Sequence, residues 1–202
     1  MKDIVRKYIE GLEQAYLING GENKWREFVK VKEGASSKNI ARIKELFPDV
    51  PESLLELLEY ADGTYFRKYG DITIRLYFLG SELENYPYYL LSSEEIIENK
   101  SLAQEWYSDY VNREFDPADI PVDDRIIDDA SKMKWLHFSD CMNNGGASQL
   151  FIDFSPSKSG TLGQIVMFVH DSDRIEVIAN SFDEYLEKMI KWEFNFIVDE
   201  FL

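Results

Sequence analysis

Residues 134–178 constrain the fold more than any other part of this sequence. Four short runs rich in β-branched and aromatic residues follow one another there: Lys134–Phe138, Gln149–Phe154, Gly163–His170 and Arg174–Ile178. Between them stand Asn143-Asn144-Gly145-Gly146, a stretch from Ser155-Pro156 to Gly160, and Asp171-Ser172-Asp173, all residues that favour turns. A parallel crossover takes a dozen or more residues, usually a helix, and these connections are shorter and turn-like, so successive strands should pair antiparallel as a meander. Upstream, Ile72, Ile74, Leu76 and Phe78 recur at every second position up to Leu79, which predicts another half-buried strand, and a further short strand is expected around Tyr88–Leu91.

The rest of the chain carries a different period. Ile4, Val5, Tyr8, Ile9, Leu12 and Ala15 or Tyr16 recur at three- and four-residue steps until Asn19-Gly20-Gly21 ends the pattern, predicting a helix with one apolar face. Ser36 or Ser37 can cap a second helix through Ile40, Ile43, Leu46 and Phe47, stopped by Pro48; Pro51 suits the first turn of a third bearing Leu54, Leu55, Leu58 and Ala61. Ser92 or Ser93 with Glu95 opens another, through Ile96, Ile97, Leu102, Ala103 and Trp106 and ending before Pro117. Ser181 with Glu184 reads as a capping box before the stripe Phe182, Tyr185, Leu186, Met189, Ile190, Phe194, Ile197 and Phe201. Trp25–Val31 fits neither period. Helices precede, interrupt and follow one sheet, which is an α+β pattern. The sequence has no Pro/Gly/Ser linker and no internal repeat, so one domain is expected over residues 1–202.

Charge narrows the function. With 22 Lys+Arg against 38 Asp+Glu the net charge is −16 at pH 7, where most small domains lie within a few units of neutrality. Nucleic acid is bound through clustered Lys and Arg, and the sequence offers no such cluster, so no nucleic-acid partner is expected. No run approaches the roughly 20 apolar residues of a membrane span, and anionic lipid would be repelled, so no membrane partner is expected either. The single cysteine, Cys141, cannot close an internal disulfide, and the charged opening Met1-Lys-Asp-Ile-Val-Arg-Lys-Tyr8 is not a signal peptide, which points to the cytoplasm.

Chemistry finds little to work with. His137 and His170 are the only imidazoles. His137, Asp140 and Cys141 lie close in sequence, but zinc sites want four ligands at recurring spacings, and no second Cys or His pair exists. A Cys141 nucleophile with a histidine base has nothing in the sequence behind it, and a lone cysteine beside a strand reads as a small buried hydrophobe. Asn144-Gly-Gly146 and Gly160-Thr-Leu-Gly163 are turn glycines, not phosphate loops. No enzyme activity, metal or cofactor is expected.

One stretch stands out. Between Arg113 and Asp129, seven acids (Glu114, Asp116, Asp119, Asp123, Asp124, Asp128, Asp129) against two arginines leave −5. The segment follows no EF-hand spacing, and a solvated loop is its plain reading. The sharper reading is a docking surface for a basic protein, with Asp116, Asp119, Asp123, Asp124, Asp128 and Asp129 as partner-binding residues. Such patches steer cationic partners, and Trp106, Tyr107, Tyr110 and Phe115 beside it are of the type that anchors interfaces, although such aromatics more often fill a core.

The order Trp135-Leu-His-Phe-Ser-Asp140, Asn144-Gly-Gly146, Leu150-Phe-Ile-Asp-Phe-Ser-Pro156, Gly163-Gln-Ile-Val166, His170-Asp171 and Val177-Ile-Ala-Asn-Ser-Phe-Asp-Glu-Tyr-Leu186 resembles the SUKH superfamily, which joins fungal cell-wall-synthesis regulators to bacterial immunity proteins. Pro51 through Leu58 to Asp62-Gly63 is similar to the family's Pro, helix, Asn-Gly element, with Asp62 where Asn is usual. The resemblance spans roughly Ile40 to Leu186. It implies a twisted, mainly antiparallel sheet flanked by helices and no catalytic site. Residues 1–35 would then be an N-terminal helical extension and 181–202 a long C-terminal helix. Gly63, Gly145 and Gly163 would supply turns, Trp135 and Phe182 core, and Asp153 bonds to backbone donors at a strand end. The resemblance implies a protein that neutralises a cognate toxin by binding it, commonly a basic nuclease; a regulatory or scaffold module without a toxin partner is the alternative.

Overall fold

The meander forms as the turn spacing requires. In the computed structural model, which describes residues 1–84, 86–142 and 148–202, strands β3 (Leu79–Gly80), β4 (Pro87–Leu90), β5 (Trp135–Cys141), β6 (Gln149–Asp153), β7 (Gln164–Val169) and β8 (Arg174–Ala179) make one six-stranded sheet. They lie in chain order, each antiparallel to the next. Register slips at His137/Ser139 and at Ile165/Val166 mark irregularities that add local twist. The sheet curls until the end of β3 approaches the far strands, with Ser81 Oγ 3.1 Å from Met167 Sδ.

Helices α1 (Asp3–Ile18), α2 (Glu22–Val31), α3 (Ser37–Leu46) and α4 (Glu52–Tyr60) precede the sheet; α5 (Ser93–Glu98) and α6 (Leu102–Val111) interrupt it; α7 (Phe182–Lys191) follows it. Ser36 is the cap of α3, its Oγ accepting the Asn39 N–H. Ser92 and Glu95 form a full capping box on α5. On α7 only half of the box forms: Ser181 Oγ accepts the Glu184 N–H, while the Glu184 carboxylate reaches the Asn180 N–H instead.

Both faces of the sheet are covered. Leu136, Phe138, Leu150, Ile152, Ile165 and Met167 face a continuous core shared with α1, α2, α3, α4 and α7. Trp135, Phe151, Val166, Phe168, Ile175 and Val177 face a smaller core under α6, with Tyr107, Val111 and Ile126. Each fully buried aromatic or aliphatic side chain contributes about 1.5–3 kcal/mol of transfer free energy. Trp135 and Phe182 are both buried, and Asp153 Oδ1 accepts the Ser155 N–H at 2.7 Å, all as the pattern implied. Gly63 has φ 89° and lies where a Cβ would strike the Ser92 backbone, so the turn after α4 needs glycine twice over. The turn Asn143-Asn144-Gly145-Gly146 lies outside the described residues.

Three expectations change, and one segment left open is assigned. Trp25–Val31 is helix: Trp25 and Phe28, three apart, bury one side of α2. The strand expected over Ile72–Leu79 divides. Arg67–Tyr69 (β1) and Ile72–Ile74 (β2) form a separate hairpin, and only Leu79–Gly80 joins the main sheet. The helix through Trp106 breaks into α5, a 3₁₀ turn at Asn99–Ser101, and α6. The long C-terminal helix over 181–202 stops at Lys191, because Glu193 and Phe194 take left-handed φ of 55° and 54° and reverse the chain. The apolar stripe continues through that reversal. Phe194 packs edge-on to Tyr8 at 5.1 Å, over a spot on α1 where only Gly11 leaves room, and Phe196 and Ile197 are buried too.

Candidate interaction surface

The acidic connection is built into the fold. After α6, Arg113 turns the chain with φ 58°. Its guanidinium then donates to the carbonyls of Val111 (2.9 Å), Ile126 (3.2 Å) and Asp123 (3.4 Å), tying the two ends of the connection together. Further on, Val122 bridges Ile175 of β8, with Asp123 N–H to Ile175 O at 2.9 Å and Ile175 N–H to Pro121 O at 3.0 Å. Two residues along the edge, side chains take over from backbone. Asp123 Oδ2 accepts the Val177 N–H at 3.3 Å and Arg125 Nη2 donates to Val177 O at 3.0 Å. Asp123 and Arg125 also pair with each other, and Arg125 holds the Asp123 carboxyl below its ordinary range. The pair thus stands in for a seventh strand and blunts the β8 edge. The β6–β7 loop fastens the same segment: Ser157 Oγ and Ser159 Oγ both donate to Asp124 O, and Gln164 Nε2 to Arg125 O.

The six acids singled out in the sequence therefore divide. Asp123 serves the fold. Asp129 caps the 3₁₀ turn at Ala130–Lys132 and pairs with Lys132, which lowers its pKa. Asp116 is exposed and accepts the Ala118 N–H at 2.9 Å. Asp119, Asp124 and Asp128 are exposed, and their carboxylates have no hydrogen-bond or ion-pair partner among the described residues. Asp124 and Asp128, with Ile126, Ile127, Arg113 and Lys158, line a surface depression of about 630 Å³. The aromatics divide likewise: Tyr107 is buried and packs at a tilt on Phe168, Tyr110 is half-buried, and Trp106 (60% exposed) and Phe115 (41%) face solvent.

The histidines are placed quite differently. His137 is buried on Phe151, its Nε2 2.9 Å from Asp140 Oδ1 and its Nδ1 3.1 Å from Asn99 Nδ2. Asp140 also accepts from Gln149 Nε2, and Tyr107 OH donates to Gln149 Oε1, so a polar chain links the 3₁₀ turn, β5, β6 and α6. Burial would raise the Asp140 carboxyl, but its hydrogen bonds with His137 and Gln149 outweigh it and hold it low. Cys141 is buried next door, and the nearest hydroxyl in sequence, Ser139, donates to Tyr89 O. His170 sits on the surface beside Asp173 at 3.2 Å. Among the described residues no group of three or more His, Cys, Asp or Glu is placed to hold a metal ion, and no helix is long and apolar enough to cross a membrane.

Sequence reasoning missed the Arg113 clasp, the strand-mimicking pair and the His137 chain. The second had a signal: Asp and Arg two apart on an extended chain point the same way. The other two need partners distant in sequence. Compared with known proteins, residues 34–188 match the profile of the SMI1 / KNR4 family (SUKH-1), and a search of curated proteins finds no match.

Proposed function

The chain belongs to the SMI1 / KNR4 family (SUKH-1), and from that premise we propose that this interaction module acts as an immunity protein, occluding a cationic toxin without doing chemistry itself. The observation that carries the reading is the split within the acidic connection. Some of its charges fix the backbone to the sheet, leaving Asp119, Asp124 and Asp128 exposed on an ordered segment. An ordered surface loses little conformational entropy on binding, which favours affinity, and its charge speeds encounter with a basic partner. A nuclease toxin must hold a polyanion, so the surface around its active site is commonly basic and complementary to such a face. Trp106 and Phe115, exposed on or just after α6, supply the apolar anchors an interface centre needs.

Co-expression with the toxin encoded beside its gene tests the reading. Survival of the host and a complex on size exclusion are expected. Unaltered killing with no complex would end it.

A further inference from the structure

The two ends of the chain build a groove of their own. About 520 Å³ in volume and open to solvent, it runs between α1, at Gly11, Gln14, Ala15 and Ile18, and the chain reversal after α7, at Glu193 and Phe194. Those α1 positions recur at three- and four-residue steps, so they form one stripe of that helix. Every residue lining the groove lies outside 34–188, so it belongs to what this chain adds around the family's domain. The second wall is fixed in place. Glu193 N–H donates to Ile190 O at 3.0 Å, Phe194 N–H to Met189 O at 3.1 Å and Asn195 N–H to Trp192 O at 3.3 Å, and the buried Phe194 ring fills the space that Gly11 leaves.

The floor is apolar and the rim is acidic. Ala15 and Phe194 are buried, and Ile190 is half-buried. Ile18, at the groove's end, is 80% exposed, with Leu17 beside it at 38%. A single exposed isoleucine is ordinary; one continuous with an apolar groove leaves a face unfinished. Glu10, one turn before Gln14 on α1, is exposed, as are Glu193 and Asp199, and none of the three carboxylates has a hydrogen-bond or ion-pair partner among the described residues. A Cβ on Gly20 would stand 3.6 Å from Asp199 Oδ1, which places that carboxylate just past the end of α1. The last turn of α1 holds no basic residue to offset the negative pole of the helix. Of the cations close by in sequence, Lys7 is taken up by Asp3, and Lys191 does not line the groove.

We propose that this groove receives a cationic, amphipathic helix of a partner protein. Gly11 to Ile18 spans about 10 Å at 1.5 Å per residue, two turns of a docked helix whose apolar side chains, at three- and four-residue steps, enter the groove. Lysines or arginines flanking that stripe meet Glu10, Glu193 and Asp199. Nucleic acid and anionic lipid would be repelled by the same unpaired acids, and a second copy of this chain would set −16 against −16. An extended strand would need a free row of backbone donors, and here one wall is helix interior while the N–H groups of Glu193, Phe194 and Asn195 are already taken. The groove shares no residue with the acidic connection and does not depend on the role given to that connection.

Fluorescence anisotropy on the full chain tests this, with a labelled Leu-Lys peptide whose leucines recur at three- and four-residue steps, beside a control of the same composition in which leucine and lysine alternate. The helical peptide should bind wild type, and the alternating one should bind more weakly, since its apolar residues line up only in a strand. Ile18→Ser should weaken the helical peptide about tenfold, the scale of leaving one aliphatic side chain unburied, with the melting temperature unchanged because Ile18 is exposed. Glu10→Gln with Glu193→Gln should weaken it about fivefold, the scale of losing two exposed ion pairs, and flatten its salt dependence. Asp119→Asn with Asp124→Asn and Asp128→Asn should leave it unchanged; a loss confined to that variant would place the peptide on the acidic connection and overturn the proposal. So would no binding by wild type, equal binding of the two peptides, groove variants that bind as wild type does, or a wild-type dimer in sedimentation velocity that Ile18→Ser dissociates.

Discussion

The two sides of the six-stranded sheet are closed in different ways. On one side, α1, α2, α3, α4 and α7 bury a continuous apolar core, and nearly every residue that matters there is a hydrophobe or an aromatic. On the other, α6 covers only part of the sheet, and an acidic connection finishes the job by burying Ile126 and through polar contacts: a guanidinium on backbone carbonyls, a carboxylate and an arginine along a strand edge. The first side uses its residues fully for stability. The second divides its charged residues between holding the segment and facing solvent, and that division leaves acids exposed at little cost to the fold.

The largest effects should lie in the apolar core. Phe138, buried and edge-on to Phe182 at 5.4 Å, should lose about 3–5 kcal/mol on replacement by alanine, measured by denaturant unfolding, whereas Trp106→Ala on the opposite side should stay within about 0.5 kcal/mol. Equal losses would break the comparison. Next comes the strand mimic. Asp123→Ala strips a partner from Arg125 and from the Val177 N–H, and should cost about 1–3 kcal/mol. It should also promote concentration-dependent association through the opened β8 edge, visible by light scattering. Asp119→Ala, Asp124→Ala and Asp128→Ala should each stay within about 0.5 kcal/mol, as substitutions that remove no hydrogen bond or ion pair, Asp124 and Asp128 acting on Arg113 only through space.

A smaller effect is one of pH. Arg125 holds the folded Asp123 pKa below its unfolded value of about 3.9, so the contribution is complete above that pH and fades as pH falls through the depressed folded value. The stability gap between wild type and Asp123→Asn should therefore narrow on acidification below about pH 4. A gap that widens there would show that the pair does not stabilise the fold through its charge.

How much of this could be read from the sequence follows the same division. The meander, its antiparallel order and the apolar faces of α1 and α7 were legible because burial imposes a period of two or of three to four on the residues themselves. The reversal at Glu193 and Phe194 was not, since two left-handed non-glycine residues are held there by packing on α1 that no local pattern reveals. The acidic connection was visible as a run of charge, but its residues look alike in sequence. Asp123 and Asp124 are neighbours of one type; only the edge of β8, some fifty residues later, assigns one to the fold and leaves the other in solvent.

The central claim is that the exposed acids of the connection meet a cationic protein. Its most direct test is the association rate with the cationic toxin proposed as its partner, measured by stopped flow across a salt series for wild type and for Asp119→Lys with Asp124→Lys and Asp128→Lys. Wild type should associate fast and slow steeply as ionic strength rises past about 0.15 M, where charges are screened beyond about 8 Å, while the reversed variant should be slow throughout with an unchanged fold. Identical rates and identical salt slopes for the two proteins would contradict the account.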